Sequence, residues 1–127
     1  MAKSNYLENK VLDHFLGTSS TSAPSNVYVG LFTSDPTDAG SGTEVSGNGY
    51  SRQSATFSSA SSGSTSNSSA IEFTASGGSF GTVSHFGVFD ASTSGNLLYH
   101  GALTASKTIA DTDTLKISAS GLTITET

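Results

Sequence analysis

Histidine is the side chain type that changes charge near neutral pH, and this 127-residue sequence holds three: His14, His85 and His100. A catalytic or metal site would need them to converge with carboxylates. His85 and His100 fall on neighbouring predicted strands, so a hairpin could bring them together as a zinc or acid–base pair. No third and fourth ligand accompany them in the sequence, and a histidine beside Phe86, Phe89 and Tyr99 also suits packing and hydrogen bonding. Asp35, Asp38 and Glu44, with glycines between them, offer the oxygen ligands that calcium prefers. Their spacing does not match an EF-hand, and Asp35-Pro36-Thr37-Asp38 is a sound turn without an ion. No Gly-x-Ser-x-Gly elbow is followed by an acid and a histidine, so nothing marks a serine hydrolase. Gly47-Asn48-Gly49 and Gly77-Gly78 open no helix that would hold phosphate, which leaves them as turns. No catalytic residue, cofactor or metal is therefore expected. Arg52, the single arginine, has two open readings: it pairs with a carboxylate and pins the preceding loop, or it is a solvated side chain of little energetic effect.

Composition points the same way. The formal charge is −5, and the basic residues Lys3, Lys10, Arg52, Lys107 and Lys116 are scattered, so the concentrated positive surface that nucleic acid requires is missing. Without cysteine there is no disulfide and no thiolate metal site. Neither a basic-then-apolar leader nor a run of about eighteen apolar residues is seen, so no signal peptide and no membrane span are expected. Abundant serine, threonine and glycine suit short strands and turns, while seven Phe and four Tyr supply core material that disordered chains lack.

Asn5-Tyr6-Leu7-Glu8 reads as a capping box, with Leu7, Val11 and Phe15 at helical spacing and Gly17 as the stop. The pattern predicts one amphipathic helix from about Tyr6 to Leu16, followed by a Ser/Thr-rich linker from Thr18 to Asn26. Residues 1–26 thus form a helix-and-linker segment, and residues 27–127 one β-domain. Strands are predicted at Val27–Thr33, Tyr50–Phe57, Ala70–Ala75, Thr82–Asp90, Asn96–Thr104, Thr114–Ala119 and Leu122–Thr125. Val27–Phe32 is apolar on both faces and belongs inside a sheet. Strands 82–90 and 96–104 flank a turn cluster and should form a hairpin. The last two strands alternate with one wet face, separated by a bulge or tight bend at Ser120-Gly121. Ser58–Ser69, low in complexity, is predicted to be an exposed, mobile loop. The expectation is an all-β sandwich or small barrel of about seven short strands with one N-terminal helix.

Four segments carry a resemblance: Asn5–Lys10, Val27–Arg52, Gly81–Asp90 and Gly95–Leu103. Together they resemble a family of small tailed-bacteriophage virion proteins, often labelled tail-fibre or decoration proteins. Ser51 stands where that pattern has alanine before Arg52, and the serine tract is plainer than usual. The resemblance implies a virion component, made in a host cytoplasm, whose partners are other virion proteins.

The expectation is a non-enzymatic structural subunit, a capsid decoration or cement protein that stabilises its neighbours by binding the assembled state. Its partners would be the major capsid protein or neck and tail proteins, with the subunit itself in a homo-oligomer or symmetric array. The alternatives are a tail, neck or fibre-associated adaptor, and a host-surface carbohydrate-binding module using Tyr50 or Tyr99 as an aromatic platform. Attachment is expected through Tyr6, Leu7, Val11 and Phe15. The helix keeps two readings, a cover for the chain's own sandwich or a terminal helix docked in a neighbour's groove.

Overall fold

The structure, a computed structural model, describes residues 2–126. One helix and nine strands follow in the order β1 (Ala2–Lys3), α1 (Asn5–Phe15), β2 (Val27–Phe32), β3 (Gln53–Ala55), β4 (Ser64–Ser66), β5 (Ile71–Thr74), β6 (Gly81–Phe89), β7 (Leu97–Ile109), β8 (Thr114–Ile117) and β9 (Thr123–Thr125). Five of them form an antiparallel sheet in the order β1-β7-β6-β2-β3, and two ribbons, β4-β9 and β5-β8, complete the all-β fold. The predicted hairpin is the pair β6-β7 at the centre of the large sheet. No helix among the described residues is long and apolar enough to cross a membrane.

The core follows from strand alternation. Val29 and Leu31 of β2 face the same side as their partners Val88 and Phe86 of β6. They pack with Ile71 and Phe73 of β5, Leu115 of β8 and Ile124 of β9 in one cluster. The opposite face of β2 carries Phe32, which joins Phe89 and Leu97 in a smaller cluster. β2 is therefore buried on both faces, as its sequence requires. Gly30 sits opposite Gly87 between the two clusters. A Cβ on Gly30 would lie 2.8 Å from Glu44 Oε2 and 3.2 Å from Phe89 Cε2, so this mid-strand glycine makes room for close approach.

Four departures from the sequence expectation have physical causes. Ala2 and Lys3 form an edge strand against His100 and Tyr99, a pairing made by backbone groups that no side-chain pattern announces. The helix is capped by Ser4, not Asn5: Ser4 Oγ accepts from Leu7 N–H at 3.1 Å, so the capping box with Glu8 does not form. β7 continues to Ile109 through exposed Thr104–Thr108, with a register shift against β6 between Val83 and His85.

The fourth departure is the serine tract, which is structured. Ser64–Ser66 pairs with Thr123–Thr125, and the following Asn67 is fully buried. The Asn67 side chain donates to the carbonyls of Ser69 and Ser118 at 2.9 Å each and accepts from Leu122 N–H at 2.9 Å. The tight bend it braces has Ser120 at φ +64°, with Gly121 N–H bonded to Ser118 O at 2.8 Å. Asn67→Ala strips three buried partners and should lower unfolding free energy by about 2–4 kcal/mol. Ser62→Ala on the same tract should stay within about 0.5 kcal/mol. Urea denaturation of both variants checks this, and equal midpoints would refute the anchoring role.

Candidate interaction surface

The N-terminal helix is fixed at its root and open along its length. Ser4, nearly fully buried, donates its hydroxyl to Leu97 O and its N–H to Leu98 O at 2.8 Å, while Asn5 N–H bonds Asp38 O at 2.9 Å. Beyond the root no helix residue is buried. Of the residues expected at the contact, Leu7 and Val11 are half-buried, whereas Tyr6 and Phe15 are exposed. Leu12 and Leu16, outside that prediction, join Phe15 at i, i+3 and i+4 spacing, and the three are 55%, 76% and 75% exposed. Both lie beside the stripe of Leu7, Val11 and Phe15 in the sequence, but their exposure is set by how the helix packs. Gly17, at φ +88°, ends the helix just past this apolar tip.

Under the helix root lies a cleft of about 550 Å³ lined by Asn5, Tyr6, Asp38, Arg52, Phe89 and Asn96 among others. Arg52 organises it. Its Nε and Nη2 donate to the two Glu44 carboxylate oxygens at 2.9 Å each, and Nη1 donates to Ala91 O and Ser94 O at 3.0 and 2.8 Å. The guanidinium carbon sits 3.5 Å from the Phe89 ring centroid. Of the two readings left open for Arg52, the pinning one holds: its side chain is only 10% exposed and clamps the 33–50 loop to the 90–96 turn.

Tyr50 extends the clamp into the sheet. Its hydroxyl accepts Leu31 N–H at 2.9 Å, beyond the end of β3 pairing, and donates to Glu44 Oε2 at 2.7 Å. Burial, reinforced by the bond to Glu44, pushes the Tyr50 hydroxyl well above its ordinary range, so it remains a donor. Its ring stacks on Phe73 and meets Phe80 edge-on, so Tyr50 offers no sugar platform. Tyr99 is half-buried with its hydroxyl donating to Glu126.

The other candidate residues are occupied separately. His100 lies opposite Gly87 and donates from Nε2 to Asp38 at 2.7 Å. His85, opposite Ala102, shares a 2.8 Å hydrogen bond with Ser84. Asp35 accepts from Thr37 N–H at 2.9 Å, closing a turn, and Glu44 belongs to Arg52. Asp35 and Asp38 both lie against His100, at 3.8 Å from Nδ1 and 2.7 Å from Nε2, whereas Glu44 is held apart by Arg52; no metal-ligating group of three or more is found among the described residues.

The polar side chains of this surface are largely tied to one another and to the backbone. The family model described as Podophage GP4 fiber I protein gp80 matches residues 2–125. The chain therefore belongs to that family and is a phage fibre-type structural protein, which places it in the virion. Among curated proteins none matches the chain.

Two outcomes test the geometry. Arg52→Ala leaves Glu44 unpaired beneath the loop and should cost about 3–5 kcal/mol, while Arg52→Lys, unable to bond in bidentate fashion or stack, should recover only part of it. Full recovery by lysine in chemical denaturation would contradict the clamp.

The second concerns Glu126, held below the ordinary carboxylate range first by its bond from Lys3 at 2.7 Å and then by the Tyr99 hydroxyl, with burial opposing. A depressed folded pKa stabilises fully above the unfolded value and is lost as pH falls through the folded one. Glu126→Gln should therefore flatten the acid limb of a stability–pH curve below about pH 4.5 by no more than about 1 kcal/mol, less at high salt, because the pair is exposed. An unchanged acid limb would remove the pair from the account.

Proposed function

We propose that the chain is a non-enzymatic subunit of the phage fibre apparatus that attaches to neighbouring virion proteins through its N-terminal helix. The observation that carries this reading is the open apolar tip of α1 on a root welded into the sheet. A helix of eleven residues is marginal alone in water, and one whose apolar residues stay exposed needs a packing partner. The contact comprises Tyr6, Leu7, Val11 and Phe15, extended by Leu12 and Leu16. A helix laid in a neighbour's groove is the matching mode of recognition. The fibre position is favoured over the capsid-decoration expectation because the family description names a fibre protein. Subunit counting on particles separates them: a ring or a few copies for the fibre reading, hundreds for a capsid cement. The carbohydrate-module alternative loses Tyr50 as a platform, because its ring is stacked on Phe73 and meets Phe80 edge-on.

Removing residues 1–17 would also remove β1 and the Ser4 tie, so point changes give the cleaner test. Phe15→Lys with Leu16→Lys alters only exposed positions and should leave the urea midpoint within about 0.5 kcal/mol of the parent. Incorporation into particles should fall at least tenfold. Normal incorporation of the folded double variant would refute attachment through the helix.

A further inference from the structure

β7 and β8 are consecutive strands joined by a turn in which Asp113 N–H bonds Ala110 O at 3.0 Å, yet they do not pair with each other. β8 pairs with β5 alone, and β7 turns away toward β6 and β1. Among the described residues, the outer edge of Thr114–Ile117 therefore has no strand against it. Between the splayed strands lies a groove of about 720 Å³. Leu103 and Ile117, both half-exposed, form its floor with buried Ile109 and Leu115, and exposed Lys107 and Lys116 stand on its sides. No aspartate or glutamate lines it. In a chain of net charge −5 with five basic residues, two of the five border this one groove.

We infer that the groove receives an extended, acidic segment of another virion protein, added as a strand to the free edge of β8. Strand addition supplies main-chain hydrogen bonds, and alternate side chains of the incoming strand would fall on the Leu103–Ile117 floor. Lys107 has no carboxylate in the lining, and Lys116, although opposite Glu72 across the β5–β8 pair, forms no ion pair with it among the described residues, so both ammonium groups are open to acidic side chains at the rim. A second copy of this chain is a poor occupant. Its exposed extended segment, residues 18–26, carries no carboxylate, and the carboxylates on its strands, such as Glu72, lie on elements already paired. This surface is separate from the apolar tip of α1, so it stands or falls independently of attachment through the helix.

The test uses the full chain and a defined probe, the peptide acetyl-Val-Glu-Val-Glu-Val-amide, followed by amide NMR. Shift changes should concentrate in residues 103–109 and 114–118. Replacing both glutamates of the peptide by lysine should weaken binding at least tenfold, and Lys107→Glu with Lys116→Glu in the protein should reverse that preference. Equal binding of the two peptides, shifts centred elsewhere, or no binding would overturn the inference. In particles, a photoreactive residue replacing Thr114 should cross-link to an acidic segment of a different polypeptide. Adducts confined to a second copy of this chain would overturn it equally.

Discussion

The two-pronged pairing of Arg52 with Glu44 is the interaction on which the rest of this molecule depends. Twenty residues separate β2 from β3, and backbone bonds from Thr33 N–H to Thr43 O and from Val45 N–H to Leu31 O, 2.9 Å each, fold only part of that connection back along β2. Glu44 bridges the gap because it receives two guanidinium N–H groups and the Tyr50 hydroxyl at once. Tyr50 in turn satisfies Leu31 N–H beyond the β3 pairing, and Arg52 reaches the carbonyls of the 90–96 turn. A buried ion pair alone is weak support for stability. Here every arm of the pair also closes a backbone segment, and Gly30 leaves the space in which they meet.

The loop held this way carries Asp38, which receives both the His100 side chain and the N–H of Asn5. Through it the clamp extends to the root of the helix. Ser4 adds the second tie, acting as helix cap and as sheet partner in a single residue. Asp38 and His100, two of the side chains that could do chemistry, are thus bonded to each other beside the root of the N-terminal segment. That arrangement suits a subunit whose function is to present a surface, and it explains how an exposed apolar helix tip can have a defined position relative to the β-domain.

Elements governed by apolar periodicity were legible in the sequence: the two-faced Val27–Phe32 strand, the β6-β7 hairpin, and the one-sided alternation of β8 and β9. Elements governed by backbone pairing were not. Ala2–Lys3 is too short to show a period, and Ser64–Ser66 has no apolar residue to reveal a strand. Asn67 looked like one more polar residue in a flexible tract, because burial of an amide depends on carbonyls from Ser69 and Ser118, the latter 51 residues away. For the proposed attachment surface, Tyr6, Leu7, Val11 and Phe15 follow helical spacing, but exposure of Leu12 and Leu16 depends on how the root is tied, which spacing does not encode.

Amide hydrogen exchange on the free subunit and on assembled particles tests most directly whether a fixed root presents an unpartnered helix. In the free protein, the amides of Ser4, Asn5 and Leu31 should exchange as slowly as the core strands, and those of Leu12–Leu16 should exchange rapidly by local opening. On particles the Leu12–Leu16 amides should slow by at least tenfold. A helix tip already as protected as the core in the free subunit, or one left unchanged by assembly, would contradict the account.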